Sequence, residues 1–73
     1  MLAQFIYQLR QKNNLTQEFL ASELGISRPT YVQIERGERD LTIRHALKLA
    51  GIFNLPLDMF LRGLEGSRVV LNV

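Results

Sequence analysis

Between Ser27 and Gly37 the chain reads SRPTYVQIERG, and Arg28, Val32, Gln33 and Arg36 fall on one side of a helix drawn through it. Arginine carries paired donors in a fixed plane, and glutamine carries a donor group beside an acceptor. Such groups can pair in bidentate fashion with the edge of a base, arginine with guanine and glutamine with adenine, each pairing discriminating by about 1 to 3 kcal/mol. The bland alternative is an ordinary solvated helix face. The two readings are told apart by what must hold the face in place.

Leu2, Phe5, Ile6 and Leu9 make one stripe of a first helix ending near Lys12, before Asn13 and Asn14. Thr16 can cap a second helix of about nine residues, with Glu18 well placed at its positive end and Phe19, Leu20 and Leu24 as its inner face. Gly25 tolerates the left-handed backbone that stops a helix, and Ile26 supplies the apolar contact that accompanies such a stop. Ser27 is a good cap for a third helix, in whose first turn Pro29 costs no hydrogen bond. Arg28, preceding a proline, is expected at the helix edge. Tyr31 and Ile34 share its inner face, and Gly37 ends it.

A polar loop over 38–40 leads to Thr42, the expected cap of a fourth helix with Ile43, Ala46, Leu47, Ala50 and Phe53 inward. Asn54 and Pro56 mark a break, and Leu57, Phe60 and Leu61 suggest a short fifth helix. After Gly66, Val69, Leu71 and Val73 alternate with Val70 and Asn72 in a strand-like period for which no partner is evident within the chain. Residues 1–66 are thus expected as one domain, with 67–73 a tail that is either a strand or disordered.

Composition narrows the classes. The 73 residues are 47% hydrophobic and 22% charged, with 5 Gly and 2 Pro, as in a packed single domain. A chain of this size buries only about 60% of its unfolded surface, so its stability is thin. There is no cysteine, which removes disulfides, thiolate chemistry and cysteine-held zinc. The single histidine, His45, cannot assemble a metal cluster or a nucleophile with its base, so no enzyme, metal or cofactor is expected. No apolar run approaches the roughly 18 residues needed to span a bilayer. Gln4, Gln8 and Arg10 interrupt the start where a signal peptide is unbroken, so the expected compartment is the cytoplasm. A net charge of +2 leans weakly toward polyanions, and Arg28, Arg36, Arg39, Arg44 and Lys48 gather in one basic stretch.

Two short helices around a glycine turn, the second with a polar outer face, describe a helix-turn-helix over about residues 16–36, a pattern that helical hairpins of other function share. The stretch LTQEFLASELGISRPTYVQIERGER resembles the Cro and phage-repressor type of helix-turn-helix, the XRE family, through Leu15, Thr16, Gln17, Leu20, Ala21, Gly25, Ile26, Ser27, Ile34, Glu35 and Gly37. The resemblance covers residues 6–61 and implies an all-α, compact five-helix, lambda-repressor-like DNA-binding domain. It assigns Arg28, Thr30 and Gln33 to the groove, with Pro29 and Val32 as apolar contacts to a thymine methyl. It implies phosphate contacts by Gln17 at a helix N-terminus, beside its cap Thr16. Arg36, Arg39 and Arg44 lie where they can neutralise phosphates, or pair with Glu38 or Asp40 instead. It also implies a structural ion pair between Arg10 and Glu35. Two departures from the family pattern are Pro29 and Tyr31, whose hydroxyl, if buried, needs a partner.

A single helix-turn-helix makes few base contacts, so a homodimer on a palindromic duplex is expected, with half-sites about 34 to 36 Å apart. Its candidate surface is the C-terminal third: Leu57, Phe60, Leu61, Val69 and Leu71. Two roles fit, a small transcriptional repressor or the DNA-binding antitoxin of a toxin-antitoxin pair, whose 69–73 strand would add to a sheet of the toxin. The third reading is a protein-interaction module without DNA binding, which Arg28 and Gln33 disfavour.

Overall fold

In the computed structural model of the chain, residues 2–64 and 69–70 are described, without the side chains of Leu2 and Ala3. In chain order they form α1 (Leu2–Lys12), α2 (Gln17–Leu24), α3 (Arg28–Glu35), β1 (Leu41–Thr42), α4 (Ile43–Ile52), α5 (Leu57–Gly63) and β2 (Val69–Val70). The architecture is all-α, with one two-residue parallel bridge between β1 and β2.

Three helices begin on hydroxyl caps. Thr16 Oγ1 accepts from the Phe19 amide, Ser27 Oγ from the Thr30 amide, and Thr42 Oγ1 from the His45 amide, each satisfying one orphan donor of a first turn. The turn between α2 and α3 is closed by Gly25 at φ +69°, whose amide reaches the Ser22 carbonyl while the Ile26 amide reaches Ala21 at 3.0 Å. A side chain is strained at that φ, and Ile26 drops its own onto the core beneath. Asn14 and Asn54, both left-handed, end α1 and α4.

The core is one cluster to which every helix contributes: Ile6; Leu20, Ala21 and Leu24; Tyr31 and Ile34; Ala46, Leu49, Ala50 and Phe53; Phe60. The α4 stripe runs 46, 49, 50, 53, so Leu47, expected inward, is 53% exposed and Leu49 occupies the core instead. Phe19, expected on the inner face of α2, is 42% exposed. Both errors have one cause: in a helix of eight or ten residues an apolar side chain one position from the stripe lies about 100° off it, and a short pattern does not reveal that offset.

The C-terminal part differs most from expectation. Phe60, named as a dimer-surface residue, is fully buried, with its ring 5.7 Å from Phe5 and 6.3 Å from Phe53 between ring centroids. The strand expected to have no partner in the chain has one: Val69 and Val70 pair with Leu41 and Thr42. The partner escapes periodicity because β1 is only two residues long and merges into the cap of α4. Leu71, Asn72 and Val73, and the boundary at 66 and 67, lie outside the described residues.

The Phe5 ring lies against Gly63, where a methyl group would fall inside the ring, whereas Gly51 has nothing within 4 Å of such a methyl. Gly63→Ala is therefore expected to lower unfolding free energy by about 1 to 3 kcal/mol through overpacking. Gly51→Ala should raise it by up to about 1 kcal/mol through helix propensity. Urea denaturation of the two variants checks both, and equal effects of the same sign would contradict the packing of α1 on α5.

Candidate nucleic-acid interface

α3 separates two kinds of surface. Tyr31, Ile34 and Glu35 are buried beneath it, Thr30 and Val32 are half-buried along its flank, and Arg28, Pro29, Gln33 and Arg36 are exposed. The Ser27 cap with Pro29 at the first turn starts the helix so that Tyr31 and Ile34, three apart, enter the core together.

What holds this helix at its angle is a buried polar cluster. Arg10, from the last turn of α1, grips Glu35 with two donors along one edge of its guanidinium: Nε to Oε2 at 2.7 Å and Nη2 to Oε1 at 3.1 Å. Its Nη1 donates to the Leu15 carbonyl at 3.1 Å, and its guanidinium lies 5.4 Å from the centre of the Tyr7 ring. Glu35 also accepts from the Tyr31 hydroxyl at 2.7 Å and from Gln17 Nε2 at 3.2 Å. Tyr31, one of the two residues at odds with the family pattern, thus gives its hydroxyl to the same carboxylate.

The cluster continues outward. Gln17 turns Nε2 to Glu35, so its Oε1 faces away and accepts from Arg28 Nη2 at 2.9 Å. Arg28 Nε lies 3.2 Å from Glu18 Oε2, an exposed pair. On the far side of α3, Gln33 Oε1 accepts from Arg39 Nε at 3.0 Å. Of the polar side chains expected in a groove, Arg28 and Gln33 are therefore each held by a neighbour: one at the start of α2, the other in the loop after α3.

The remaining expected contacts are placed as follows. Thr16 is exposed and its oxygen serves the α2 cap; Gln17 is half-buried with both ends of its amide engaged. The Thr30 hydroxyl accepts from Ser27 Oγ at 2.9 Å and is thereby part of the α3 cap. Arg36 and Arg44 are exposed and make no ion pair among the described residues. Leu57, Leu61 and Val69 are half-buried, and exposed Met59 joins them on the C-terminal part without having been expected there. The pairing of Arg28 with Glu18 and that of Arg39 with Gln33 went unforeseen: a long side chain's partner depends on how helices cross, which spacing does not give. His45 is half-buried at the start of α4. No group of three metal-ligating side chains occurs among the described residues. No described helix is long and apolar enough to cross a membrane.

Burial pushes the Glu35 carboxyl up, but the hydrogen bonds from Arg10, Tyr31 and Gln17 outweigh it and hold the group below its ordinary value. The bond to Glu35 raises Arg10, and burial followed by its own bond to Glu35 raises Tyr31. A carboxyl depressed by folding stabilises the fold above its unfolded pKa, about 4.3, and that contribution disappears as pH falls through the lower folded value. Glu35→Gln should lower unfolding free energy by about 3 to 5 kcal/mol, because Arg10 is left buried without its counter-charge. It should also make the loss of stability below about pH 4 shallower. Tyr31→Phe, which removes one donor to a charged acceptor, should cost about 1.5 to 3 kcal/mol. Denaturant titrations from pH 2 to 8 measure all three, and an unchanged unfolding free energy in Glu35→Gln would refute the assignment.

Comparison with known proteins agrees with this geometry. The helix-turn-helix family matches residues 6–60. An uncharacterized HTH-type transcriptional regulator of Bacillus subtilis is 30% identical over 69 residues, covering 94% of this chain and 60% of the relative. Another, from Methanocaldococcus jannaschii, is 43% identical over 49 residues, or 67% of this chain and 74% of the relative. A third, from Archaeoglobus fulgidus, is 39% identical over 53 residues, or 73% and 75%. The chain thus spans less than two thirds of the Bacillus relative's length. With α2 and α3 meeting at the Gly25 turn inside the matched segment, the chain belongs to the helix-turn-helix family of the Cro/C1 type.

Proposed function

We propose that this protein binds double-stranded DNA sequence-specifically through α3 and acts as a transcriptional regulator, a repressor that occupies its operator in the cytoplasm. Residues 1–66 are the binding unit, with 67–73 as its tail. The observation that carries the proposal is the exposed row of Arg28, Pro29 and Gln33 on a helix whose other face is locked by the Glu35 cluster. Family membership and relatives named as transcriptional regulators support it. In this arrangement α3 enters the major groove and α2 crosses the backbone, with its first amides and the Thr16 hydroxyl toward a phosphate. Arg28 and Gln33 contact base edges; Thr30, Pro29 and Val32 border them; Arg36, Arg39 and Arg44 approach phosphates.

A homodimer supplies the second half-site. Its surface is drawn from the half-buried Leu57 and Leu61 with exposed Met59, Phe60 being unavailable inside the core. The regulator reading is favoured over the antitoxin because the strand that suggested a toxin sheet pairs within its own chain.

Selection from a random duplex pool should yield a palindrome with half-sites about 34 to 36 Å apart. Arg28→Ala should weaken binding to the selected duplex by about 5- to 100-fold while affecting random duplex far less. Arg36→Ala and Arg44→Ala should weaken both alike, each reducing the slope of log affinity against log salt by about 0.9. Absence of any duplex affinity near about 50 mM salt, where phosphate contacts are strongest, would overturn the proposal.

A further inference from the structure

Gln33 is the groove-facing side chain that can present two different faces to a base. Its amide carries an acceptor oxygen and a donor nitrogen, and adenine, with N7 accepting and N6 donating, uses both. Arg39 Nε lies 3.0 Å from Gln33 Oε1. A guanidinium has donors only, so the amide oxygen, not the nitrogen, must be the atom turned toward it. Arg39 thereby fixes which way the amide points, although it lies outside α3 and two residues beyond the left-handed Gly37.

We infer that Arg39 is a specificity-determining residue: by holding Gln33 Oε1 it leaves Gln33 Nε2 as the group offered to the duplex, and selects bases whose major-groove edge only accepts. Those edges are guanine, with N7 and O6, and thymine, with O4. Arg28 acts in the same sense, since its free donors also seek acceptors while Gln17 Oε1 and Glu18 hold the rest of the fork. At Arg28 and Gln33 the outer face of α3 then turns donors foremost to the duplex, the Gln33 oxygen being drawn toward Arg39. Adenine, which needs an acceptor opposite N6, is disfavoured opposite Gln33. The inference rests on the proposed DNA binding, and goes beyond it by naming the base class and a residue that imposes it without touching the base.

A role as a phosphate contact alone predicts something different. Loss of Arg39 would then weaken every sequence equally and leave the base preference alone. The test is selection from a random duplex pool with the wild-type chain, Gln33→Ala and Arg39→Met. Gln33→Ala identifies the position that Gln33 reads, as the one whose preference relaxes. The wild type should prefer guanine or thymine there, and Arg39→Met should shift the preference toward adenine by about tenfold, within the range of one bidentate contact. Arg39 is exposed, and circular dichroism of the variant verifies that it folds. A wild-type preference for adenine, an unchanged preference in Arg39→Met, or no position relaxed by Gln33→Ala would each overturn the inference while leaving DNA binding intact. Failure of the wild type to enrich any sequence would instead overturn the proposed function, and this inference with it.

Discussion

The fold depends on one carboxylate. Glu35 is 6% exposed and sits where α1, α2 and α3 converge, a place where an uncompensated charge would be more costly than a domain of this size can bear. It is tolerated because it receives four hydrogen bonds, two from Arg10 and one each from Tyr31 and Gln17. Three of those donors come from different helices, so the carboxylate can be satisfied only when the helices are correctly placed. Apolar packing alone is forgiving of small rotations, because dispersion has little directionality. A bidentate arginine fork is not. The cluster therefore contributes geometry more than net stability, and what it fixes is the direction in which the outer face of α3 looks.

That constraint passes directly to the surface. Gln17 has only one way to satisfy Glu35, with its nitrogen inward, and this turns its oxygen toward Arg28. The chain of contacts from Arg10 through Glu35 and Gln17 to Arg28 is continuous, running from the core to an exposed guanidinium without an intervening gap. Among the described residues, the Gln33 side chain has no such connection to the cluster. Its one hydrogen bond among the described residues is to exposed Arg39, so its orientation is set locally and is weaker.

Much of this arrangement was legible in the residues. Thr16, Ser27 and Thr42 were readable as caps because hydroxyls before apolar runs have few other uses, and Gly25 because a left-handed stop needs it. The division of α3 into Tyr31 and Ile34 against Arg28 and Gln33 followed from 3.6-residue periodicity. Three kinds of feature were not legible. Phe19 and Leu47 sit one position off their stripes, and an apolar type alone does not say which neighbour wins the core. Phe60 looked like surplus apolar surface because Phe5, one ring that covers it, is remote in sequence, and Phe53, the other, lies across the break between α4 and α5. The partner of β2 was hidden by its length, since two residues carry no period.

The held side chains also bear on the energetics of the proposed contact. Ordering a long side chain on binding costs about 0.5 to 1.5 kcal/mol, and Arg28 and Gln33 already have partners in the free chain that restrict them. The partners differ in what they exact. Gln17 can keep its bond to Arg28 while other donors of the fork reach a base, so that restriction assists binding. Glu18 competes, because its charge lies 3.2 Å from Arg28 Nε and would face phosphates on approach. With both members exposed, such a pair is worth only about 0 to 1 kcal/mol, less than a bidentate base contact at about 1 to 3. A correct base can displace it and a single stray phosphate contact gains little by doing so, which places the balance between retention and release on the side of discrimination.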